Sequence, residues 1–106
     1  MAKYLFEGRY TSDGIKGVLK EGGTARRAAV EGALKGLGGK IEAMYYAFGD
    51  TDVYVIVEAP DNIAAAALAM GISSTGTVAV KTTVLLTLEE IDQAGKKTMS
   101  YRAPGH

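Results

Sequence analysis

Residues Phe48 to Asp61 read "FGDTDVYVIVEAPD". A polar corner, Gly49-Asp50-Thr51-Asp52, leads into a run in which Val53, Val55 and Val57 alternate with Tyr54, Ile56 and Glu58. Alternation closed by a proline predicts a strand with two unlike faces. The all-valine side suits a core. The other side carries a phenol and a carboxylate. Asp61 stands where an N-cap belongs, ahead of "NIAAAALAMGI", so a helix follows the strand.

Working outward, the corner requires a partner strand before it, read as about Lys40 to Phe48. Near the N-terminus, Lys3 to Tyr10 alternate again, with Tyr4, Phe6, Gly8 and Tyr10 on one face and Leu5, Glu7 and Arg9 on the other. Thr11 to Gly14 reads as a turn, and Ile15 to Lys20 as a short helical turn. Thr24 is the expected N-cap of a helix to about Leu37, with Ala29, Val30, Ala33, Leu34 and Leu37 as its apolar stripe. Glu31 and Lys35 have the spacing of a helical ion pair. Gly32 and Gly36 suggest close approach to a sheet. The alanine-rich helix is apolar nearly all round, which predicts burial. Thr77 to Leu86, rich in Val and Thr, reads as the fourth strand, and Leu88 to Ala94 as a short helix. The order β-α-β-β-α-β predicts an α+β, ferredoxin-like domain: a four-stranded antiparallel sheet with its helices on one face. Residues 1–94 form that domain. Residues 95–106 form a tail without periodicity, expected to dock on a neighbouring subunit.

Composition narrows the function. Twelve basic and twelve acidic residues give a formal net charge of zero. That removes the basic signature of a nucleic-acid binder and argues against an anionic membrane surface. No cysteine is present, so disulfides, thiolate nucleophiles and cysteine-held metals are excluded. His106, the last residue, is the one histidine, a poor start for an imidazole metal site. No signal-like or membrane-spanning apolar stretch is evident, and a cytoplasmic protein is the expectation. No metal and no cofactor are expected.

The sheet face away from the helices is the informative one. Parity places Leu5, Glu7, Arg9, Met44, Tyr46, Phe48, Tyr54, Ile56, Glu58, Lys81, Thr83 and Leu85 on it. Such a face is too apolar for water and too charged for an ordinary core. Packing against a second copy covers the apolar part and leaves a chamber for the rest. Glu7, Arg9, Tyr46, Tyr54, Lys81 and Thr83 are candidate ligand-binding residues, and Glu58 a candidate general base if desolvation raises its pKa. The plainer reading of the same charges is a set of internal salt bridges. Thr24, Arg26 and Arg27, at a helix start behind two glycines, form a candidate anion site, against a plain N-cap and a solvated face. The acids of Gly49 to Asp52 read more simply as turn chemistry than as a cation site.

The segments "RYT" (Arg9 to Thr11) with Gly14-Ile15, "GGKI" (Gly38 to Ile41), "YYAFG" (Tyr45 to Gly49) and "VEAPD" (Val57 to Asp61) together resemble the GYD-domain family, within the dimeric α+β barrel superfamily. The resemblance covers about Tyr4 to Glu90. The family's Gly-x-Tyr-Asp signature falls on Gly49 to Asp52, where Thr51 replaces the aromatic residue. The resemblance implies a homodimer whose two sheets face each other, with a higher oligomer open to it. It implies no particular reaction, since fold alone chooses none. Three functional readings follow: a non-catalytic oligomer that binds a small molecule, acidic ones included, between the sheets; a cofactor-free isomerase or oxygenase with Glu58 as base; and a structural assembly module without ligand.

Overall fold

The computed structural model describes residues 1–106. Its elements are β1 (Ala2–Tyr10), α1 (Ser12–Glu21), α2 (Gly23–Gly36), β2 (Lys40–Tyr46), β3 (Val53–Ala59), α3 (Asn62–Ser73), β4 (Val78–Leu85) and α4 (Leu88–Gly95). The strands form one antiparallel sheet in the order β2-β3-β1-β4. This is the expected ferredoxin-like α+β arrangement, with α1 added ahead of α2 and α4 added after β4.

Alternation in β1 and β3 builds the core. Tyr4 and Phe6 pair across the sheet with Val57 and Val55, and all four are buried. Leu34 of α2, with Ala65 and Leu68 of α3, closes over them. Tyr4 donates its hydroxyl to Asn62 Oδ1 at 2.6 Å, so the one polar atom it brings inside is satisfied.

Several local expectations change. Thr11 to Gly14 is the start of a helix: Thr11 Oγ1 accepts from Gly14 N at 3.2 Å and caps α1. Thr24 is no cap, because α2 begins at Gly23, two residues earlier than such a cap requires, and Gly22, at φ +85°, is its N-cap residue without a side-chain bond. Glu31 bonds back to Arg27 at 2.6 Å rather than forward to Lys35. Gly32 and Gly36 face open space, whereas a Cβ on Gly39 would lie 2.6 Å from the Glu58 carbonyl oxygen. Gly39 therefore makes the close approach. Asp61 does cap α3, accepting from Ala64 N at 2.9 Å. That helix is not buried all round, for Ile63 and Met70 are 80% and 72% exposed.

The largest correction concerns β2. A bulge between Ile41 and Ala43 interrupts its pairing with β3 and inverts the parity beyond it. Met44 and Tyr46 pair with Val55 and Val53 and so belong to the helix side. Ala43 and Tyr45 pair with Ile56 and Tyr54 and belong to the open side. Phe48 lies past the strand end, fully exposed. On β4 the core ends early: Val84, on the helix side, and Leu86, just past the strand, are both more than half exposed.

Candidate functional site

The open face divides into two ends. At one, Lys3 of β1 sits directly across from Glu58 of β3, which sits across from Lys40 of β2. Glu58 Oε2 lies 3.3 Å from Lys40 Nζ, and Oε1 lies 3.6 Å from Lys3 Nζ. Lys3 also bonds to Glu42, the residue that the bulge leaves unpaired. The hydrogen bond from Lys40, helped by Lys3, holds the Glu58 carboxyl below its ordinary value. Its bond to Glu42 moves Lys3 the other way, above its usual range. Glu58 is thus an ionised carboxylate between two ammonium groups. The raised pKa that a buried general base requires is not its state in this chain.

At the other end, Glu7 is flanked by Tyr54 on β3 and Lys81 on β4. Arg9 stands two residues further along β1, opposite Ala79, diagonal to Lys81 and within reach of it for long side chains. The ion pairs of the protein join Lys3, Lys40, Arg26 and Arg27 to carboxylates; none involves Arg9 or Lys81. Glu7 accepts a long hydrogen bond, 3.4 Å, from Thr51. Thr51 of the β2–β3 corner therefore touches this end of the face. Between the two ends, Leu5 pairs with Ile56 and Thr83, and Tyr45 pairs with Tyr54.

The open side thus brings together Glu7, Arg9, Tyr54, Glu58, Lys81 and Thr83, and leaves Tyr46 out. Tyr46 stacks on Tyr10 across the helix side, ring centroids 6.4 Å apart, with the two hydroxyls 3.2 Å apart. Burial and that hydrogen bond push its phenol well above the ordinary range, so it stays a neutral hydroxyl. Sequence parity passed over Lys3, Lys40, Glu42 and Tyr45. Lys3 was legible by carrying the Leu5–Glu7–Arg9 alternation one step back. Tyr45 was not, because nothing in "KIEAMYY" marks the bulge.

The other candidates serve the backbone or stand apart. Asp52 Oδ2 accepts from Tyr10 N at 2.8 Å, and Asp52 N donates to Gly8 O at 2.9 Å. It joins the β2–β3 corner to β1, as turn chemistry does. Thr24 is exposed in the first turn of α2. Arg26 reaches Glu21 at 3.4 Å and Arg27 reaches Glu31 at 2.6 Å, so the two arginines engage different carboxylates. No helix is long and apolar enough to cross a membrane.

The family model of the GYD domain matches residues 4–94, from Tyr4 within β1 to Ala94 within α4. No curated protein and no solved structure matches the chain. The match spans every strand of the sheet and both of its faces, and the protein belongs to the GYD domain family.

Proposed function

We propose that this protein is a self-associating small-molecule binder. Two copies pack their open sheet faces together, and the chamber between them takes a small, multiply charged organic acid. One observation carries the reading. The charges at one end of the face neutralise one another, whereas Arg9 and Lys81 at the other end are left without partners beside the phenol of Tyr54. Leu5, Ile56, Leu85 and the exposed rings of Tyr45 and Tyr54 supply the apolar area that a second copy covers. Once water is excluded, Arg9 and Lys81 outnumber Glu7, the one carboxylate beside them, by a single positive charge; that excess is costly, and a bound carboxylate offsets it. Thr83 and Tyr54 offer hydroxyl donors to the same ligand.

The test has two stages. Sedimentation velocity of the full chain at micromolar concentration should give a dimer or larger species. Calorimetric titration with small di- and tricarboxylates should then find binding that weakens at least about tenfold in an Arg9→Ala/Lys81→Ala variant, the effect of losing charge-assisted hydrogen bonds. A folded monomer at all concentrations, or binding indifferent to the double substitution, overturns the proposal. The enzymatic alternative has less support, since the lysines lower the Glu58 pKa and so make it a weaker base.

A further inference from the structure

The helix side of the sheet contains a second space that owes nothing to the open face. Phe6, Gly8, Val53 and Val55 form its floor, Val30 of α2 and Ile72 of α3 its roof, and its volume is about 50 Å³. That is room for more than a single water. Interiors are ordinarily packed too closely for such a gap. Its cause is visible in the chain. Helix α2 lies over β2 and α3 over β4, and the side chains that α3 turns inward are mostly alanines.

Of the residues lining this space, Arg26 alone is charged. It sits at the mouth with Tyr10 and close to Tyr46, whose ring packs under Gly23 at the start of α2. The two phenol hydroxyls meet at 3.2 Å. Beyond the mouth the space widens into a cleft of about 340 Å³ between α1 and the end of α3, which shares Tyr10, Arg26, Ile72 and Val78 with it. Asp13 and Glu21 stand in that outer cleft. Glu21 holds Arg26 by one long contact of 3.4 Å, which leaves other N–H donors of the guanidinium free.

We infer that this space is a binding site for a monocarboxylate with a short alkyl tail, the tail in the apolar cavity and the carboxylate on Arg26 at its mouth. An apolar tail gains from leaving water in proportion to its area. A second charge on the ligand would lie unpaired among valines and is excluded. The planar guanidinium presents paired donors to a carboxylate, and Tyr10 lines the same space. Glu21 competes for the same guanidinium.

Hexanoate, hexanol and hexanedioate, added in turn to the full-length protein, test the inference through the methyl NMR signals of Met44 and Ile72. Hexanoate should give saturable shifts at both. Hexanedioate should bind at least about tenfold more weakly. Arg26→Gln should weaken hexanoate about tenfold and leave hexanol unchanged, as loss of one charged contact predicts. Glu21→Gln should tighten hexanoate, and Val30→Phe, which fills the space, should abolish binding of both while keeping the native circular dichroism. Arg9→Ala/Lys81→Ala should change none of these, so failure here and failure of the open-face reading are separable. Two results overturn the inference: no saturable shift at Met44 and Ile72 with any linear acid from butanoate to octanoate, or hexanoate affinity unchanged in folded Arg26→Gln and Val30→Phe.

Discussion

Asp52 shows how one side chain settles what an acidic corner is for. Its carboxylate and its own backbone N–H both reach β1, at Tyr10 N and Gly8 O. Those bonds hold the corner against the middle of the sheet, where Gly8 and Tyr10 flank the cavity and Arg9 points to the open face. Asp52→Ala leaves the Tyr10 amide without its partner and should lower stability by about 1–2 kcal/mol, read from the midpoint of urea unfolding. Asp50→Ala, at an exposed site in the same corner, should change it by less than about 0.5 kcal/mol. Equal effects of the two substitutions would return the corner to the status of a functional acid pair. Glu58 is settled in the same way by its neighbours. Because the lysines depress its pKa below 4.5, its contribution to stability is present above that value and is lost as pH falls through the lower folded value. Lys3 behaves oppositely: its pKa is raised above 10.5, so its contribution is present below that value and is lost as pH rises through the folded one. Lys40→Ala removes the largest cause of the Glu58 shift. NMR titration of its side-chain carboxyl should then find the pKa moved upward; an unchanged value would mean that Lys40 does not hold it.

At the scale of elements, what was legible in the sequence is what repeats. The period of two in β1 and β3 gave both faces correctly, and the Asp61 cap placed α3. The errors fall where one residue breaks a pattern. The bulge at Glu42 shifts β2 by a residue, and a single inserted residue exchanges the faces of all that follows; Tyr46 went to the wrong side for that reason alone. Thr11 suits a turn and an N-cap equally well, and only its tertiary bonds decide. Its N–H donates to Thr77 O at 2.9 Å, and its hydroxyl, which caps α1, also lies 3.1 Å from Gly76 O. The start of α1 is thereby stapled to the start of β4, and Gly14 completes the contact, since a Cβ there would lie 1.9 Å from Thr77 O. Both sides of that contact are backbone and neither can swing away. Gly14→Ala should cost about 3 kcal/mol or more by overpacking, measured by urea or thermal unfolding. Gly17→Ala, three residues on with nothing within 4 Å of its Cβ, should stabilise by up to about 1 kcal/mol through helix propensity. The reverse order would show that α1 does not dock on β4.

The whole molecule is more extended than a closely packed body of its length. A 106-residue body packed alone has a radius of gyration of about 13 Å, whereas this one measures 16.9 Å and is 56 Å long. The excess comes from the segment after β4. Helix α4 has a complete capping box between Thr87 and Glu90, yet every residue from Leu88 onward is exposed, with Leu88, Ile91, Met99 and Tyr101 open to solvent. A helix of this length has little stability in water without packing, and its apolar residues have no counterpart on its own body. The proposed self-association would give the arm a surface to pack on, since it leaves the sheet at Leu85, on the open face. Ending the chain after Leu86 separates the two contributions. The sheet, α1, α2 and α3 hold the core without the arm, so the truncated chain should keep its cooperative unfolding transition. If the arm reaches across to the partner, sedimentation should show the truncated chain dissociating at concentrations at least about tenfold higher than the full chain does, the effect of losing some 1.4 kcal/mol of contact. An unchanged dissociation constant would confine the association to the sheet faces and leave the arm to some other partner.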